Sequence, residues 1–197
     1  MKTTYSIEIK GIEDPIDFVN KWSKSYNYSN EGVYNNFINR VFDDYDTFKQ
    51  MFYWKNGTGE KLSGYKEILV SQFWEQKKVL IKLKDDFNWE TFENVFKPMN
   101  SSTIWKIFLL HLMNPKEFPI FDQNVYRFYR FTMDGIIIKD PPQKKKEVYE
   151  IYKNEYRDWF NNLRIQYKLN HKEMDRSFFS FGQLLKKIDG KPHEIRK

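Results

Sequence analysis

The segment Phe118-Pro119-Ile120-Phe121-Asp122-Gln123-Asn124-Val125-Tyr126-Arg127 places a single carboxylate at a break in the chain. Phe118 precedes a proline, so the link is extended. Asp122 then opens a helix carrying Val125, Tyr126 and Tyr129 and ending near Gly135. At a helix start a carboxylate accepts backbone N–H groups, stays ionised, and stabilises the helix by about 1 kcal/mol. Asp122 is therefore either a plain cap or an oriented negative charge available for chemistry, and the two roles are compatible. Arg127 and Arg130 follow on the same helix. They contact phosphates or pair with acids on neighbouring helices.

Other reactive groups are set out less suggestively. His111, His171 and His193 make no metal motif; His111 falls near an apolar stripe and reads as a satisfied, semi-buried residue. Asp43, Asp44 and Asp46 cluster, but within a helix such a group reads as surface, and no second acid cluster with a supporting lysine suggests a magnesium nuclease. Lys144-Lys145-Lys146 reads as a solvated helix start, although cations there oppose the helix dipole. The Asn56-Gly57 region has no phosphate-loop pattern, and no Ser-His-Asp order with a nucleophile elbow is found. The chain has no cysteine, which removes disulfides, thiolate zinc sites and cysteine-ligated iron–sulfur clusters. No cofactor and no metal are expected.

Helical spacing dominates the elements that must hold these groups. Asp14-Pro15 starts a helix with Phe18, Val19 and Trp22 on one face. The pattern predicts a second helix over 33–53, ended by Asn56-Gly57, and a third from Ser63 to about Leu83 with Ile68, Leu69, Phe73, Val79 and Leu83 turned inward. Asn88 caps a short helix with Phe92 and Phe96. Trp105, Phe108, Leu109 and Leu112 recur at the spacing of a buried stripe. After Asp140-Pro141-Pro142 a long helix carries Val148, Ile151, Tyr152, Trp159 and Leu163. A capping-box-like Asn170-His171-Lys172-Glu173 opens the last helix, where Asp175-Arg176 would anchor it against the core. Tyr5–Ile9 alternates as a short strand or extended arm, and the tail 190–197 is polar and reads as frayed. The expectation is one all-α domain over 1–197, of about eight helices.

The 197 residues suit one domain, which at this length buries roughly 70% of its unfolded surface. With 18 Phe, 13 Tyr and 6 Trp, the core is built largely from rings. No signal-peptide pattern or run of about 20 apolar residues is present, so a cytoplasmic home without a membrane partner is expected. The net charge of +6 attracts polyanions, of which nucleic acid is the commonest.

Residues 96–131, two helices joined by a tight turn and followed by an extended link and Asp122, resemble the helix–hairpin–helix region of the HhH-GPD superfamily of DNA base-excision glycosylases. The match is Phe-Pro-Ile-Phe-Asp-x-x-Val-x-Arg at 118–127, within an 88–135 region; Met174–Gly182 also looks like the closing helix of some bacterial members. The resemblance implies a helical fold with two interleaved lobes, DNA as partner, and a role in DNA repair. It implies that Asp122 stabilises an oxocarbenium-like sugar and activates water. It further implies that Asn100, Ser101, Ser102 and Thr103 meet the DNA backbone, that Asn124 and Arg127 position Asp122 or the sugar-phosphate, that Arg130 binds DNA with them, and that rings such as Tyr53 and Trp54 stack on a flipped base. Two departures carry meaning. Pro98–Ser102 contains no glycine where the family has Gly-x-Gly, and the Schiff-base lysine of bifunctional members would fall at Thr103 or Ile104. The implied enzyme is a lyase-free N-glycosylase; the alternative is an inactive descendant that binds DNA or a protein, and an unrelated helical interaction module is a third reading.

Overall fold

The computed structural model describes residues 12–28, 30–57, 61–99, 103–138 and 145–188. Every regular element among them is helical. In chain order these are α1 (Pro15–Ser23), α2 (Glu31–Phe37) with a 3-10 turn (Ile38–Arg40), α3 (Tyr45–Asn56), α4 (Gly64–Glu75), α5 (Lys77–Asp85), α6 (Trp89–Phe96), α7 (Thr103–Met113), α8 (Gln123–Asp134), α9 (Lys145–Ile151), α10 (Arg157–Gln166) and α11 (His171–Ile188). A π turn (Tyr152–Tyr156) joins α9 to α10 without a break. The protein is all-α, as its periodicity predicts. The Tyr5–Ile9 arm and the 190–197 tail lie outside the described residues.

Capping residues set several boundaries. Asp14 accepts the Ile16 and Asp17 N–H groups through Oδ1 at 2.8 and 3.0 Å, and Pro15 follows it. Asn88 accepts the Thr91 N–H at 2.8 Å, and Asn170 accepts that of Lys172 at 2.9 Å. Gly57 and Gly135 close α3 and α8 with φ of 70° and 69°, a left-handed conformation that costs glycine nothing.

Two helices predicted as continuous are each broken, which accounts for ten helices among the described residues rather than eight when residues 145–166 count as one. The 33–53 stretch divides at Asp44, whose backbone is extended at φ −143° and which caps α3. Its Oδ1 accepts the Thr47 N–H and its Oδ2 the Thr47 hydroxyl, each at 2.8 Å. Those bonds, the backbone one foremost, hold the Asp44 carboxyl below its usual value. Asp44 is thus a cap and not part of a mid-helix acidic surface. The 63–83 stretch divides at Gln76, whose N–H turns back to the Phe73 carbonyl at 3.1 Å. The inward set there is also corrected: Ile68 is 58% exposed, while Val70 and Leu80 are fully buried.

The chain forms two compact units interleaved along the sequence. Described residues 12–26, 122–138 and 158–188 make the first; 27–121, where described, and 145–157 make the second. In the first unit α11 packs against both α1 and α8. Phe128 stacks on Phe178 with centroids 4.2 Å apart, and Phe18 meets Phe128 at 5.4 Å and Phe181 at 5.2 Å. In the second unit Phe52 contacts Phe48, Phe73, Trp105 and Phe108, all at centroid distances under 6 Å. Each such pair adds about 0.5–1.5 kcal/mol beyond the area it buries. No helix among the described residues is long and apolar enough to cross a membrane.

Candidate functional site

The extended link before Asp122 is tied down by side chains of the second unit. The Phe118 carbonyl lies 2.8 Å from Nδ1 of His111, and Tyr34 Oη lies 2.8 Å from Nε2 of the same ring. A carbonyl only accepts, so Nδ1 carries the proton and Nε2 accepts from the Tyr34 hydroxyl. His111 is therefore a buried, satisfied structural residue, 0% exposed. The Tyr152 hydroxyl donates to the Pro119 carbonyl at 3.2 Å. Phe121 packs on Tyr152 and Tyr156 at 5.6 and 4.4 Å. These two tyrosines bracket the π turn, and both are fully buried.

Asp122 belongs to the first unit and caps α8. Its backbone is extended (φ −114°, ψ −174°), and Oδ1 accepts the Asn124 and Val125 N–H groups at 2.8 and 3.0 Å. The residue is half-buried. One turn on, Arg127 Nη1 donates to Asn124 Oδ1 at 3.0 Å. Arg127 is 1% exposed within the buried run Val125–Tyr129 and leaves no surface for a phosphate. Arg130 pairs with Asp134 at 2.7 Å, both side chains about one-third exposed (31% and 33%).

Gly182 of α11 fixes the start of α8 and is the residue the sequence reading did not single out. A Cβ built there would overlap the Asn124 carbonyl, so only glycine lets α11 come this close to the turn that Asp122 caps. The signal available was a glycine in mid-helix, where it costs about 1 kcal/mol relative to alanine and so implies a packing reason.

Asp122, Asn124 and Arg127 therefore fall within one turn and a half of α8, with Arg130 nearly a turn further on. Thr103 opens α7 in the second unit, and Asn100, Ser101 and Ser102 lie outside the described residues. Tyr53 and Trp54 are 7% and 6% exposed core residues of α3, which removes them as base-stacking rings. No group of His, Asp and Glu able to hold a metal occurs among the described residues. Compared with known protein families, curated proteins and solved structures, the chain matches none.

Proposed function

We propose that this chain is a DNA-binding protein of the helix–hairpin–helix glycosylase type, acting as a lyase-free N-glycosylase with Asp122 as its carboxylate. The observation that carries the reading is the half-buried Asp122, oriented by two backbone N–H groups at the start of a helix that Gly182 holds in place. In such a reaction the bond from the sugar carbon to the base breaks, and the base leaves with the electron pair. The carboxylate stabilises the cationic sugar and takes a proton as water adds to it. Arg127, being buried, serves by positioning Asn124, to which this reading gives the contact with the sugar-phosphate. The basic charge of the chain and Thr103 at the hairpin's second helix support DNA as the partner.

A second reading rests on the same geometry. Two backbone bonds are all that a helix cap requires, and the hairpin turn carries no glycine, so an inactive descendant that only binds DNA would look alike. One experiment separates the readings: binding of wild type and Asp122→Asn to a duplex carrying an abasic-site analogue, at two salt concentrations. Asparagine caps as well as aspartate, so the substitution removes charge and leaves the fold. The enzyme reading expects salt-weakened binding that prefers the analogue, with the preference lost in Asp122→Asn. Equal binding by both proteins would leave the inactive DNA-binding reading. Absence of binding to any duplex at low salt would overturn both.

A further inference from the structure

Helix α4 turns Leu69, Val70 and Phe73 into the core of the second unit and leaves its other side to solvent. Tyr65 and Ile68, three residues apart on that outer side, are 52% and 58% exposed. Gly64, Ser71, Gln72 and Glu75 share the side at helical spacing from Ile68, with Gly64 and Glu75 exposed and the other two half-buried. Nothing within the chain calls for glycine at 64: its φ is not positive, and an added Cβ would meet no atom within 4 Å.

The charges of α4 divide between the two sides. Lys66 and Glu67 are turned to their own chain, Lys66 to the Asn56 side chain and the Trp105 ring, Glu67 to Lys49 and the Tyr53 hydroxyl. Lys61, exposed just before the Ser63 cap, and Glu75, exposed at the last position of the helix, stand at the two ends of the outer side. Glu75 has no ion pair among the described residues, and its charge opposes the negative end of its own helix dipole.

This side is complementary to itself. About a two-fold axis through Ile68, a second α4 running antiparallel sets Ile68 on Ile68, Tyr65 against Ser71, Gly64 against Gln72 and Lys61 against Glu75, because the members of each pair lie equally far from residue 68. Large meets small, and acid meets base. Each Glu75 also comes to the positive end of the other helix. Parallel pairing would instead set Lys61 on Lys61 and Glu75 on Glu75.

We propose that this side of α4 is the contact of a homodimer, the partner being a second copy of the chain lying antiparallel across Ile68. The helix has 12 residues and is about 18 Å long. A contact of that length falls below the roughly 1,200 Å² of a stable complex, so the dimer is transient and forms at high protein concentration. It is independent of the role given to Asp122.

The test is sedimentation equilibrium of the full chain from about 10 to about 500 µM, where wild type should show a monomer–dimer equilibrium. Ile68→Glu, at an exposed position, should raise the dissociation constant at least about tenfold with the thermal midpoint unchanged. Lys61→Glu and Glu75→Lys should each weaken self-association, since each sets like charges opposite one another. An equimolar mixture of those two variants should associate at least as tightly as wild type, because both charge pairs form again between unlike chains. A chain that stays monomeric throughout the range, a dimer untouched by Ile68→Glu, or a mixture no tighter than either charge variant alone would overturn the proposal.

Discussion

His111 shows how a residue with catalytic credentials is spent on structure. Its two ring nitrogens join α7 to the Tyr34 hydroxyl of α2 and to the Phe118 carbonyl of the link that leads to Asp122. Both partners are buried, and a buried polar group deprived of its hydrogen bond costs roughly 1–3 kcal/mol. His111→Leu should therefore lower stability by about 2–6 kcal/mol in urea unfolding, the sum for two orphaned groups. Tyr34→Phe, which removes the hydroxyl bonded to Nε2 and leaves the Phe118 bond, should cost less, about 1–2 kcal/mol. Equal losses in the two variants would show that the Phe118 carbonyl bond contributes nothing and that the histidine acts through its bond to Tyr34. Arg127 teaches the converse. Its spacing after Asp122 suggested a phosphate contact, yet the surrounding Val125, Tyr126, Phe128 and Tyr129 are all buried with it. A run of rings around a cation was the visible sign that this helix is enclosed on more than one face.

At the scale of elements, the α8–α11 crossing makes a prediction whose sign is diagnostic. In an exposed helix Gly→Ala stabilises by about 1 kcal/mol. At Gly182 the added Cβ would overlap the Asn124 carbonyl, a backbone atom that cannot swing aside. Gly182→Ala should thus destabilise by about 1–3 kcal/mol and disturb the turn that carries Asp122, measured by unfolding and by amide shifts of Asn124 and Val125. A gain in stability would mean that the helices are not in this close contact. Much of the element structure was legible because it is written locally: Asp14, Asn88, Asp122 and Asn170 are cap residues at helix starts, and Gly57 and Gly135 mark ends. The breaks at Asp44 and Gln76 were not, since helical periodicity runs through both. Asp44 interrupts by bonding Thr47 instead of continuing the helix, and Gln76 has neither glycine nor proline to announce a turn. The exposure of Ile68 follows from the same error, because a helix assigned across Gln76 sets the phase of its inner face incorrectly. The Asp122 cap was readable from neighbours in sequence; the Gly182 contact depends on residues brought together from separate helices, which no local pattern encodes.

For the whole molecule, the consequence of interleaving is that the first unit has no contiguous sequence of its own. Its α1 comes from the beginning of the chain, α8 from the middle, and α10 and α11 from the end. The face of α1 is covered by α11: Phe18 reaches Phe178 and Phe181, and Trp22 meets Phe181 edge-on at 4.9 Å. Nine residues of α1 cannot hold a helix in water without that cover, because helices shorter than about 12–15 residues are marginal alone. The second unit keeps α2 to α7 in one continuous stretch, with its own aromatic core around Phe52 and Phe108. Deleting residues 158–197 should therefore abolish slow hydrogen exchange in α1 and α8 while α3, α4 and α7 keep theirs. The two results together decide the matter: protection lost in both sets would mean that the chain folds as one cooperative body. Protection retained in α1 would mean that α11 does not supply its cover. Loss confined to α1 and α8 is the outcome that two separately cored units require, and it would put the Asp122 turn in the unit that depends on the end of the chain for its stability.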